Sequence, residues 1–207
     1  MAFKEINSTE LHHRVFRELQ KGISTNIPGH ILAFDSGSQT AQVQIGVSIR
    51  VKGEQVRHQP LIHVPVYFFG GDEYFVEVQI DPGTEGMIAF AQRCIDGWVN
   101  TGGVGNNPIL RLHSLDDAMF FPGLRSQPKK ISNFNNNGIR LRDKSGQNYF
   151  WLKNDGSAEI KANSLKIDTS GATEINSSSL THNGVNVGSD HRHSGVDTGP
   201  GTTQGPQ

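Results

Sequence analysis

A mainly β protein in two unlike parts is predicted, and three features of the 207-residue chain carry that prediction. Apolar residues alternate with others at Ala41, Val43, Ile45, Val47, Ile49 and Val51, which is the period of a strand with one buried face. Turn-forming clusters at Asp35-Ser36-Gly37-Ser38-Gln39, Gly70-Gly71-Asp72 and Asp81-Pro82-Gly83 divide residues 27–91, with no helical crossover between them. The 75 residues from Asn133 to Gln207 hold only 18 apolar or aromatic side chains against 25 of Asn, Ser and Thr, too few to bury a core in one chain. That segment is either disordered or part of an oligomer in which several chains supply one narrow core.

Taken in order, residues 7–22 read as a short helix. Asn7 with Glu10 three residues on resembles a capping box, Lys21-Gly22 makes an end, and Leu11, Val15, Phe16 and Leu19 share one face. That stripe fits docking to a partner or packing on its own domain equally well. From Ile27 the period changes to two. Gly29–Phe34, the long run Thr40–Val51, Leu61–Phe69, Phe75–Ile80 and Gly86–Ala91 read as five strands, which suggests a small closed barrel of the OB type, with a sandwich or another small barrel as alternatives. Beyond Pro122, Ser126-Gln127-Pro128-Lys129-Lys130 and the Asn-rich Asn133–Gly138 mark a boundary. Short alternating strands follow at Ile139/Leu141, Phe150/Leu152, Ala158/Ile160, Leu165/Ile167, Ile175, Leu180 and Val185/Val187, a loose β-helix pattern whose apolar side chains shrink toward the end, as in a tapering rod.

Charge and motifs narrow the function. A net charge of −1 and one isolated basic pair, Lys129-Lys130, argue against nucleic acid as a partner. Cys94 is the sole cysteine, so neither an intrachain disulfide nor a cysteine-based zinc site is expected. No apolar run approaches the ~20 residues of a membrane span, and the N-terminus lacks a signal-peptide core, so synthesis in the cytoplasm is expected. G-x-S-x-G, H-E-x-x-H and phosphate-loop patterns are absent; Asp116-Asp117 near His113 fits a turn or cap better than an acid/base pair, and no enzyme activity or small-molecule substrate is expected.

One pattern does carry chemistry. In the extended run Ser189-Asp190-His191-Arg192-His193-Ser194-Gly195, His191 and His193 point to one side and Arg192 to the other. Three chains about a threefold axis would present six imidazoles, a complete octahedral shell for a divalent ion and therefore a structural site. The alternatives are a tail that binds nothing, or a catalytic site within one chain completed by His182 or Asp190, although nothing after Asn183 is bulky enough to build a pocket.

The order of a polar β repeat, Asp190-His191-Arg192-His193-Ser194-Gly195-Val196 and the tail Gly199-Pro200-Gly201-Thr202-Thr203-Gln204-Gly205-Pro206-Gln207 resembles the central spike proteins of contractile phage tails, the baseplate assembly protein V-like spikes. Pro82-Gly83-Thr84-Glu85-Gly86, Arg93-Cys94-Ile95-Asp96-Gly97-Trp98, Arg111–Ala118 and Pro122-Gly123 resemble the N-terminal barrel of one subgroup of those spikes. Arg192 departs from the small or polar residue usual between the two histidines. The resemblance implies a homotrimer with an N-terminal helix (1–22), an OB-type barrel (23–125), a linker (126–138), an intertwined trimeric β-helix (139–188) and a metal-binding apex (189–207). One iron ion per trimer, Fe2+ by the family's pattern, would sit on His191 and His193 of each chain. It also implies a place at the baseplate tip of a phage or phage-like particle, partners in the baseplate hub and the host outer membrane, and a mechanical piercing role on sheath contraction. The rival reading is a tail protein that binds a receptor, or binds or cleaves polysaccharide.

Overall fold

A computed structural model describes residues 7–189 together with His191 and Arg192. The chain divides between Phe134 and Asn135 into two units.

The first unit opens with α1 (Ser8–Lys21), which starts where Asn7 Oδ1 accepts the Thr9 N–H at 3.0 Å and stops at Gly22. Glu10 does not complete a capping box, because its carboxylate pairs with Arg14 at 2.8 Å one turn on. Leu11, Val15, Phe16 and Leu19 are 50–65% exposed, so the stripe does not pack on its own unit.

Seven strands follow: β1 (Asn26–Asp35), β2 (Thr40–Ile45), β3 (Ile49–Val51), β4 (Glu54–Val56), β5 (Leu61–Pro65), β6 (Glu85–Phe90) and β7 (Ala118–Pro122), with a short helix α2 (Asp96–Thr101) before the last. Five of them form one antiparallel sheet in the order β5-β2-β1-β6-β7. The sheet curls until Val66, just past β5, bridges Phe120 of β7, where the Tyr67 N–H also donates to Phe120 O at 2.8 Å. This curled half-barrel encloses Ile31, Val43, Ile88 and Phe120, none with exposed surface. Each such side chain contributes about 1.5–3 kcal/mol relative to an exposed one, so this alternating inner face holds the unit together.

Two strand expectations need correction. The run Thr40–Val51 is not one strand: it breaks at Gly46, whose N–H donates to Pro28 O at 2.8 Å and where a Cβ would lie only 3.0 Å from that oxygen. Past the break, β3 and β4 make a separate hairpin about Lys52-Gly53, both with positive φ, and Ile49 and Val51 are exposed. Phe75–Ile80 is not a strand either: Phe75 makes one isolated bridge, to Gly70 across its own tight loop, and residues 76–80 pair with no strand. Its place at the sheet edge goes to β7, which the sequence reading passed over.

The second unit holds an antiparallel meander of β8 (Ile139–Arg142), β9 (Tyr149–Leu152) and β10 (Ala158–Lys161), then a two-residue hairpin of β11 (Thr181–His182) and β12 (Val185–Asn186) about Asn183-Gly184. No strand lies between 162 and 180, and no described residue of this unit is buried, so a β-helix is not evident in one chain. The protein is mainly β, as its alternation implied.

Candidate functional site

The meander's register sorts its side chains into two unlike faces. Leu152 stands opposite Ile139 on one side and Ala158 on the other, while Phe150 stands opposite Leu141 and Ile160, so these six residues share one face. On that face Ile139 is 70% exposed and Leu141 63%, and Phe150, Leu152 and Ile160 lie between 52% and 55%.

The other face is closed by polar contacts. Arg140 lies 3.9 Å from the centre of the Tyr149 ring and 5.2 Å from that of Trp151; Lys153 lies 4.7 Å from Trp151, and the two rings meet edge to face at 6.0 Å. Tyr149 Oη and Lys153 Nζ both donate to Glu159, Lys153 at 2.8 Å, and Trp151 Nε1 donates to Asn137 O at 2.6 Å. The Lys153 bond, followed by that of Tyr149, holds the Glu159 carboxyl below its usual range.

Asp143 anchors the β8–β9 turn. Its carboxylate accepts from Ser145 Oγ, Asn148 Nδ2 and the Gly146 N–H, contacts of 2.6–2.9 Å that lower its pKa to about 2. Gly146 has φ of 75° there, a conformation glycine adopts without strain.

In the first unit, a buried polar cluster lies beside the barrel core. Asp117, with no exposed surface, accepts from Arg111 Nε at 3.0 Å, from Arg111 Nη2 at 2.8 Å and from the Ile95 N–H at 3.0 Å. Nη2 also reaches Asp96 at 2.8 Å and Cys94 Sγ at 3.2 Å. Burial pushes the Asp117 carboxyl up, but Arg111 and the Ile95 N–H outweigh it and hold the group below the ordinary carboxylate range. Cys94, Asp96 and Asp117 have metal-ligand spacing, yet the guanidinium already supplies their positive charge. The cluster ties the start of α2 and the Arg111 segment to the 3₁₀ turn that enters β7.

These positions settle several sequence readings. Asp116 is exposed on a 3₁₀ turn (Leu115–Asp117) capped by Ser114, whereas Asp117 is fully buried, and His113 Nδ1 lies 3.1 Å from Ser24 O. The three do not converge as an acid/base group. His191 is exposed, with Nδ1 2.7 Å from Gly188 O. His193 and Asp190 lie outside the described residues, so the geometry of an H-x-H site is not given by one chain. A carbonyl only accepts, so this contact places a proton on Nδ1. The pairing of Arg111 with Asp117 and the Arg140–Trp151 face were not anticipated; for the face, the repeated Arg/aromatic alternation of Arg140, Arg142, Tyr149 and Trp151 was the available signal.

No helix among the described residues is long and apolar enough to cross a membrane. No curated protein matches the chain. Residues 27–123, just under half of the chain and all of the curled sheet except the first residue of β1, match the family model of the phage protein Gp138 N-terminal domain, and this likeness supports a structural protein of a phage tail or baseplate, carried in the virion.

Proposed function

We propose that this chain is the central spike of a contractile tail: a homotrimer whose first unit seats on the baseplate hub and whose second unit, wound with its two copies into a β-helix, ends in an iron-bound point that pierces the host outer membrane. The observation that carries this reading is the bare apolar face of Ile139, Leu141, Phe150, Leu152 and Ile160 in a unit with no buried residue among those described. Water-exposed apolar area costs about 25 cal/mol per Å2, and a face this continuous calls for a cover. Three copies turned inward would bury all three faces and remove the free strand edges that make an open meander prone to adding strands.

At the end of the unit, Val196 is the single apolar residue after Val187, and His191 and His193 of three chains would hold the apex with an iron ion in place of hydrophobic burial. No catalytic group enters this account, and the role is mechanical.

The rival reading, a receptor- or polysaccharide-binding or -cleaving tail protein, finds less support. In the second unit, the aromatic pair Trp151 and Tyr149 could stack on sugars, but Arg140 and Lys153 lie over their rings. Light scattering of the purified full chain, with iron analysis of the same sample, is the test. A trimeric mass with one iron per three chains is expected, whereas a monomer with full β-structure, or release of sugars from host polysaccharide, would overturn the reading.

A further inference from the structure

Among the exposed apolar residues of the first unit, two groups lie beside charges of opposite sign. One is the α1 stripe of Leu11, Val15, Phe16 and Leu19. The other is the tip of a tight loop, Phe69–Val76, where the Gly71 N–H donates to Tyr74 O at 2.9 Å and the Val76 N–H to Phe69 O at 2.8 Å. Gly70 is required there, since a Cβ would lie 2.6 Å from Tyr74 O. The base of the loop is fixed: Tyr67 stacks on Phe121 at 5.3 Å and Phe68 packs on Phe34 at 6.1 Å. The tip therefore presents Phe69, Tyr74 and Phe75, which are 70%, 83% and 61% exposed, on a rigid support.

Charge selects between the possible covers. From His58 to Gln92 the chain has no Lys or Arg, and the loop carries Asp72 and Glu73, with Glu77 one residue beyond it. Helix α1 carries Arg14, Arg17 and Lys21 against Glu10 and Glu18, with His12 and His13 beside the stripe. Within α1, Arg14 pairs with Glu10 and Lys21 with Glu18, which leaves Arg17 as the surplus positive charge, so helix against the wholly acidic loop joins opposite signs and helix against helix does not. A helix cannot swing freely onto its own loop either. Only Gly22 and Ile23 separate α1 from Ser24 and Thr25, whose carbonyls are held by His113 Nδ1 at 3.1 Å and the Phe90 N–H at 2.8 Å.

We propose that α1 of one chain packs its Leu11–Leu19 stripe on the Phe69–Val76 loop of a second copy of this chain. The contact is head-to-tail, so three repetitions about an axis close a ring in which every stripe and every tip is covered. It rests on the trimeric reading above and assigns the surface by which the first units hold one another. A helix of about 21 Å against a small loop is less than a standard interface, so the contact locks a trimer that the second unit also holds.

The test uses the full chain, assembled from a 1:1 mixture of 15N-labelled and unlabelled protein, with photoreactive benzoylphenylalanine in place of Phe16. Cross-linked peptides joining α1 to residues 67–78, heavy to light as often as statistics allow, are expected. The double variant Glu73→Lys/Glu77→Lys should cut their yield several-fold while the mass stays trimeric and the circular dichroism is unchanged. Links only within one chain, links from α1 to α1, or a trimer with no link at all would overturn this proposal and leave the trimer standing. A monomeric mass would remove both.

Discussion

Arg111 grips Asp117 with two nitrogens, Nε to Oδ2 at 3.0 Å and Nη2 to Oδ1 at 2.8 Å, around a carboxylate with no exposed surface. The fork is bidentate and desolvated on the carboxylate side, the geometry in which one partner is most missed when the other is lost. It sits on the 3₁₀ turn that leads into β7, the strand whose Phe120 bridges Val66.

Asp117→Ala is therefore expected to destabilise the first unit by roughly 3 kcal/mol, because Arg111 is left half-buried without its main acceptor. Its neighbour Asp116, exposed and bonded only within its turn, should change stability by less than about 0.5 kcal/mol as Asp116→Ala. Urea midpoints of the two variants decide this, and equal values would remove the assigned role of the pair.

Acid should loosen the β8–β9 turn late. Asp143 titrates at about 2 in the folded chain against about 3.9 for a free aspartate, so the unfolded chain binds more protons between those values and stability rises with pH across them. The contribution of this carboxylate is complete above about pH 4 and is lost as pH falls through about 2. Amide exchange of β8 and β9 in the wild type and in Asp143→Asn, followed over that window, checks it: the variant should show a flatter pH dependence, and an Asp143 carboxyl titrating near 4 by NMR would contradict the assignment.

Phe150→Asp should dissociate the assembly while leaving the meander's own hydrogen bonds intact. The side chain is 55% exposed in one chain, so little is lost there, but a carboxylate placed between three apolar faces has no partner. Light scattering should give a smaller mass for this variant and an unchanged one for Lys166→Ala, whose ion pair with Asp168 is exposed on both sides. An unchanged mass in Phe150→Asp would mean that this face is not the interface.

The proposed iron-bound apex predicts one ion per three chains in the wild type and none in His191→Ala/His193→Ala, with the mass of the two proteins the same. Iron retained at full stoichiometry in the double variant would place the metal elsewhere.

What the sequence determined by itself is local. The Asn7 cap, the Asp35–Thr40 turn, the alternation that buries Ala41, Val43 and Ile45, and the apolar poverty after Asn133 all depend on neighbours within a few residues, and such patterns can be read directly. What only the tertiary structure decided depends on distant partners. Nothing in the alternation Ala41–Val51 betrays that Gly46 meets Pro28 and turns the chain, because that contact joins residues 18 apart in sequence. Asp116 and Asp117 are chemically identical neighbours; one is exposed and the other buried only because Arg111 and the Ile95 N–H converge on the second. In the meander, residues two apart were expected to share a face, but which face carries the Arg140–Trp151 cluster and which stays apolar follows from the Ile139–Leu152 register. Register is a property of two strands together, and a one-residue slip would have exchanged every side chain between them.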